Sequence, residues 1–141
     1  MSINWLRLLI GGIIAAVICF VTDGFLHEAI LKNDWAAVYA NINATMPKEN
    51  PTSMVYFAIF ELGRGFVGLF IYVALRALSR PGPKTAVIAG IVMWLAFSVT
   101  GPAQFIPLGF LSNPLWMKML AFQFITSVLA VLAGAAIYKD R

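Results

Sequence analysis

Glu61 and Arg64 stand three residues apart inside IFELGRGFVGLF (residues 59–70), a run that is otherwise apolar. A carboxylate and a guanidinium at that spacing share one face of a helix. Together they could bind an ion or a polar headgroup, pass on a proton, or clasp one another. The same run sets Gly63, Gly65 and Gly68 in the pattern G-x-G-x-x-G, which in other proteins cradles a dinucleotide pyrophosphate. That chemistry requires a strand before the glycines and unbonded N–H groups at a helix start. Here the glycines fall in the middle of a long apolar stretch with no strand before it, where helical N–H groups are already bonded. The nucleotide reading is rejected.

The elements that must position these residues follow from composition. The chain has 141 residues, 61% hydrophobic and 11% charged, against about 25% charged in a soluble domain. A surface that apolar would not stay dispersed in water. Four apolar stretches, 3–21, 53–78, 85–110 and 114–138, each approach or exceed the ~20 residues a helix needs to cross ~30 Å of hydrocarbon. The expectation is a single membrane domain over 1–141, all-α, an antiparallel bundle of four transmembrane helices. The first stretch contains Arg7 and then an apolar run, like a secretory signal, but no small-x-small cleavage site follows, so it reads as a retained span. Cys19 is the only cysteine, which excludes an intrachain disulfide and a cysteine-built metal site.

The net charge is +4, and its distribution is a topology signal rather than a nucleic-acid patch. Arg7, Arg76, Arg80, Lys84, Lys139 and Arg141 fall at one side, with Lys32, Lys48 and Lys118 at the other. The positive-inside rule then puts both termini in the cytoplasm of a bacterial inner membrane. The one long connection, Thr22 to Thr52, is outside. In it Asn33-Asp34 reads as the cap of a short interfacial helix, WAAVYANI, on which Trp35 and Tyr39 suit the headgroup region. MPKENPTS launches the second span, and SRPGPK turns the second into the third. Gly101-Pro102 and Pro107 kink the third span or end it early.

Laid on helices at 100° per residue, each span has a small or polar face and a bulky one. Phe57, Glu61, Arg64, Gly65, Gly68 and Tyr72 align on span two, with Gly63 nearly opposite. Gly12, Ala16, Cys19, Asp23 and His27 align on span one, against Ile10, Ile14, Val17 and Val21. Span three offers Ala86, Gly90, Met93, Phe97 and Gly101. Span four offers Gln123, Thr126, Ser127, Ala130 and Gly134. Small faces let helices approach closely, so Gly12, Ala16, Gly65, Gly68, Ala130 and Gly134 are assigned to packing. A lipid-facing charge at mid-membrane costs about 2.5–3.5 kcal/mol on insertion scales, so the Glu61/Arg64 face must look into protein.

Helical rise, ~1.5 Å per residue, puts Glu61 about 12 Å below the start of span two, with Arg64 near mid-membrane. The inward polar groups, Gln104 included, thus gather toward the outer leaflet, and Glu61, Arg64, Asp23, His27 and Gln123 form a candidate binding pocket. Two readings of Glu61 and Arg64 stand side by side: a structural clasp that leaves neither charge unpaired, or a functional site. Asp23 and His27 are read as wet interface residues at a helix end, and Lys118 as snorkelling to the headgroups. One histidine and no ligand spacing give no metal site, and neither Cys19 nor Ser127 has a histidine beside it to make a nucleophile. No cofactor is implied.

The segments NDWAA (33–37), LGRGFVGLFIYVALR (62–76), PGPKTAVIAG (81–90) and GAAIY (134–138) resemble a loose family of small, uncharacterised four-span bacterial integral membrane proteins. The resemblance implies membrane residence and an arginine recurring at the Arg64 position; it carries no activity with it. The function expected is therefore non-enzymatic: an accessory or assembly component of a membrane complex, or a homo-oligomer. The alternative is transport or conduction of an ion or small solute, or binding of an amphiphile, through the outer-leaflet pocket around Glu61 and Arg64. A membrane enzyme acting on a lipid or quinone ranks last.

Overall fold

Three of the four long helices begin on a side-chain cap. Asn4 Oδ1 accepts the Arg7 N–H at 3.2 Å, Asn50 Oδ1 that of Ser53 at 2.8 Å, and Ser112 Oγ that of Leu115 at 3.4 Å. Each satisfies one of the donors that a helix start leaves open. Pro51, Pro83 and Pro114 lie in first turns, where a missing N–H is not needed. In the computed structural model, which describes residues 3–48 and 50–138, these starts launch α1 (Trp5–Ile30), α3 (Pro51–Leu75), α4 (Pro83–Ala103) and α5 (Asn113–Ile137). A short α2 (Lys32–Asn41) follows α1. No strand forms among the described residues. All four long helices are long and apolar enough to cross a membrane. The fold is the all-α four-helix bundle.

The helices close a ring in which α1 packs on α3 and α5, and α4 packs on the same two. Its core is built from small residues, among them Ala15, Cys19, Ala86, Ala89 and Ala130, with Leu69, Met93 and Val131 between them. Lipid tails are as apolar as leucine, so such helices associate through close van der Waals contact rather than through expulsion of water. The approach reaches backbone level. A Cβ on Gly11 would sit 2.6 Å from Gly134 O, and one on Gly134 would sit 2.5 Å from Gly11 O. Leu6, Ile10, Val17, Val21, Ile125 and Leu129 face outward, as the helical faces require.

Two ends can be distinguished. At the end carrying the termini, the Asn4 N–H donates to the buried Tyr138 hydroxyl at 3.1 Å. The Tyr72 and Tyr138 rings meet edge to face at 6.4 Å, and the buried Arg76 guanidinium lies 4.9 Å from the Tyr138 ring centre as a cation–π contact. Arg7, Arg80 and Lys84 are at this end too; Lys139 and Arg141 lie outside the described residues. At the loop end a second apolar cluster, Leu26, Leu31, Val38, Leu111, Leu115 and Met119, ties the last turn of α1 to α2 and the start of α5.

Several expectations are corrected. α1 does not stop at Val21 but runs to Ile30, widening into a π-turn over Leu26–Ile30. Its polar residues there are satisfied sideways, while Phe25, Leu26 and Ile30 keep the helix apolar on its other sides. α3 starts at Pro51 and ends at Leu75. α4 ends at Ala103, short of Phe110, after a π-segment over Leu95–Thr100. Pro102 has no N–H for the Ser98 carbonyl, and the Trp116 indole N–H takes that place at 3.4 Å. Gln104, beyond the helix end, is exposed rather than inward.

Phe57 is 64% exposed and does not share the buried face of Glu61, because the end of α1 there packs on α2 and α5 rather than on α3. The short helix begins at Lys32, capped by Leu31 without a side-chain bond. Asp34 is thereby free to accept from Lys118 Nζ at 2.7 and 2.9 Å. Lys118 therefore does not snorkel; it pins α2 to α5. The ammonium is half exposed, so Lys118→Ala should lower stability by no more than about 1 kcal/mol, read as a small shift in thermal unfolding in detergent.

Candidate functional site

Arg64 lies half-way along α3 and is 1% exposed. Its surroundings follow from the helical faces: α1 brings Asp23 and α5 brings Ser127 and Gln123. Arg64 Nη1 donates to Asp23 Oδ2 at 2.6 Å and to both oxygens of Glu61 at 3.3 Å. Arg64 Nη2 donates to Ser127 Oγ at 3.0 Å. Gln123 Nε2 donates to Asp23 Oδ2 at 2.8 Å. One guanidinium thus joins three helices through charge-assisted bonds, the stronger kind. Two atoms of the cluster, Asp23 Oδ1 and Arg64 Nε, are buried without a hydrogen-bond partner among the described residues.

Four of the five residues chosen from sequence meet here: Asp23, Glu61, Arg64 and Gln123. His27 does not join them. Its Nδ1 accepts the Trp35 indole N–H at 2.8 Å, so it anchors α2 instead. Asp23 is not a wet interface residue, since α1 continues past it and only 7% of it is exposed. With α3 starting at Pro51, Glu61 lies ten residues in, about 15 Å rather than 12 Å deep. Ser127 is the partner that sequence reasoning missed. Its place on the polar face of the last span, four residues from Gln123, is the signal for it.

The space beside the glycines is occupied. A Cβ on Gly65 would collide with Ala16 N and stand 2.6 Å from Gly12 O, and one on Gly68 would strike the Met93 sulfur. Gly63 has open space around it. The groove of Gly65 therefore receives the backbone of α1, as its packing role requires, and the cluster is sealed by helix on that side.

Beyond Glu61 toward the loop end, α3 changes character. Met54, Val55, Tyr56 and Phe57 are each more than half exposed, and four successive residues go all the way round a helix of 3.6 residues per turn. Ile59 and Phe60 are exposed as well, and a shallow groove runs along Pro51, Thr52, Val55, Tyr56 and Ile59. Over these turns only Ser53 and Ala58 are partly buried and Phe60 meets the Phe97 ring edge to face at 5.9 Å, while at the loop end Leu26 of α1 and Leu115 of α5 are buried in one cluster with Val38 of α2. No protein-family profile, curated protein or solved structure matches the chain.

Proposed function

We propose that this chain is a non-catalytic accessory or assembly component of a membrane complex, or a homo-oligomer, and that it meets its partner along the first three turns of α3. The supporting observation is the exposure of four successive large side chains there, Met54, Val55, Tyr56 and Phe57, each more than half exposed. The ion cluster acts as a clasp in this reading. It fixes α3 at its midpoint, so the segment beyond is presented at a set angle. Tyr56, Phe57 and Phe60 give it aromatic area, the kind of side chain that anchors interfaces. The bundle sits in the bacterial plasma membrane, with the arginine-rich end of Arg7, Arg76 and Arg80 in the cytoplasm and the first turns of α3 in the outer leaflet.

Native mass spectrometry of protein released from lipid nanodiscs tests the reading. The wild type is expected as an oligomer or with a copurifying chain, and Tyr56→Ala/Phe57→Ala is expected as a monomer with unchanged thermal unfolding. A wild type that is strictly monomeric and alone removes the proposal.

A further inference from the structure

The cluster has one negative charge too many. Two carboxyls, Asp23 and Glu61, share a single guanidinium nitrogen, and no second cation pairs with either among the described residues. On α1 the nearest titratable neighbours are Cys19 and His27. The Nδ1 lone pair of His27 is used to accept the Trp35 N–H, which makes the ring a neutral imidazole. α5 contributes only Gln123 and Ser127, both uncharged, and its Lys118 is engaged with Asp34. α4 contributes no charged residue beyond Lys84 in its first turn; its buried polar groups are the Thr85 and Ser98 hydroxyls. An uncompensated carboxylate in a low-dielectric interior is costly enough that such a group is normally neutralised.

Geometry indicates which carboxyl that is. Asp23 Oδ2 accepts two close donors, Arg64 Nη1 at 2.6 Å and Gln123 Nε2 at 2.8 Å, the pattern of an ionised acceptor. Glu61 receives only one nitrogen, split between its two oxygens at 3.3 Å. Meanwhile Asp23 Oδ1 is buried with no donor among the described residues, and the Glu61 and Asp23 carboxyls meet at the same guanidinium nitrogen, Arg64 Nη1, at 3.3 and 2.6 Å. We infer that Glu61 binds a proton at neutral pH and donates it to Asp23 Oδ1, so that the cluster is a neutral glutamic acid beside an Asp23–Arg64 ion pair. The ligand of this site is the proton. The side chains of Glu61 and Asp23 keep 8% and 10% of their surface accessible against 1% for Arg64.

Infrared spectroscopy of the full chain in nanodiscs decides the matter. At neutral pH the wild type should show the C=O stretch of a protonated carboxyl, shifted down in heavy water and shifted again when the protein is grown on isotope-labelled glutamate. The band should vanish in Glu61→Gln and persist in Asp34→Asn. Absence of the band from the wild type, or a band that labelled aspartate moves and labelled glutamate does not, overturns the inference. The labelling result stands on the wild type alone, so it holds even where Glu61→Gln fails to fold.

Discussion

Arg64→Leu is expected to cost the bundle about 3–5 kcal/mol, the range for removing one partner of a buried ion pair, and so to consume much of the stability of so small a domain. Leucine is apolar and bulky, so the loss comes from charge rather than from volume. Asp23 would lose its cation and keep only uncharged donors, and Ser127 would lose its partner. Arg64→Lys should be intermediate, since a single ammonium cannot reach Asp23 and Ser127 from the two separate nitrogens that the guanidinium supplies. Adding Asp23→Asn to Arg64→Leu should recover a large part of the loss by removing the stranded charge, a coupling that a double-mutant cycle measures. Unfolding in micelles and the yield in the membrane fraction are the readouts. Arg64→Leu melting with the wild type would contradict the clasp.

The second large effect divides the three glycines of G-x-G-x-x-G. Gly65→Val must push α1 away, because the atoms its side chain would meet are backbone: Ala16 N and Gly12 O. Overpacking of this kind costs about 1–3 kcal/mol or more, and here it also pulls Asp23 from Arg64, the residue next to Gly65. Even Gly65→Ala should destabilise, although alanine is favoured over glycine in a helix by about 1 kcal/mol. At Gly63 that preference acts unopposed, since the space around it is open, and Gly63→Ala should leave stability unchanged or raise it. Thermal unfolding of the two alanine variants, one residue apart from Arg64 on either side, separates packing from propensity directly. Equal shifts would show that α1 and α3 do not touch at Gly65.

The inward faces were legible because helical periodicity and the cost of a lipid-exposed charge point the same way. Gly12, Ala16, Asp23, Arg64, Gln123 and Gly134 all lie on the sides assigned to them. What escaped sequence reasoning depends on where helices diverge and on partners far along the chain. Phe57 has the right angular position for the buried face, yet it is 64% exposed, since the end of α1 packs on α2 and α5 instead. His27 also shares its helix face with Asp23, but Trp35, eight residues on, claims its lone pair. Lys118 and Asp34 are 84 positions apart, and no local pattern announces such a pair. The end of α1 was placed too early for a related reason: Asp23 and His27 lower the hydropathy of a turn whose polar groups are satisfied from the side, and hydropathy counts residues without their partners.

The ring joins the first long helix to the last. Gly11 touches Gly134, Asn4 holds Tyr138, and Asp23 accepts from Gln123. A chain threaded into the bilayer as it leaves the ribosome therefore brings in an acidic group, Asp23, whose partner Arg64 arrives one crossing later and whose amide donor arrives only with the final crossing. The order of synthesis thus limits the order of contacts: the Asp23–Arg64 pair can form only once α3 is made, and the glycine seam between α1 and α5 only once α5 is made.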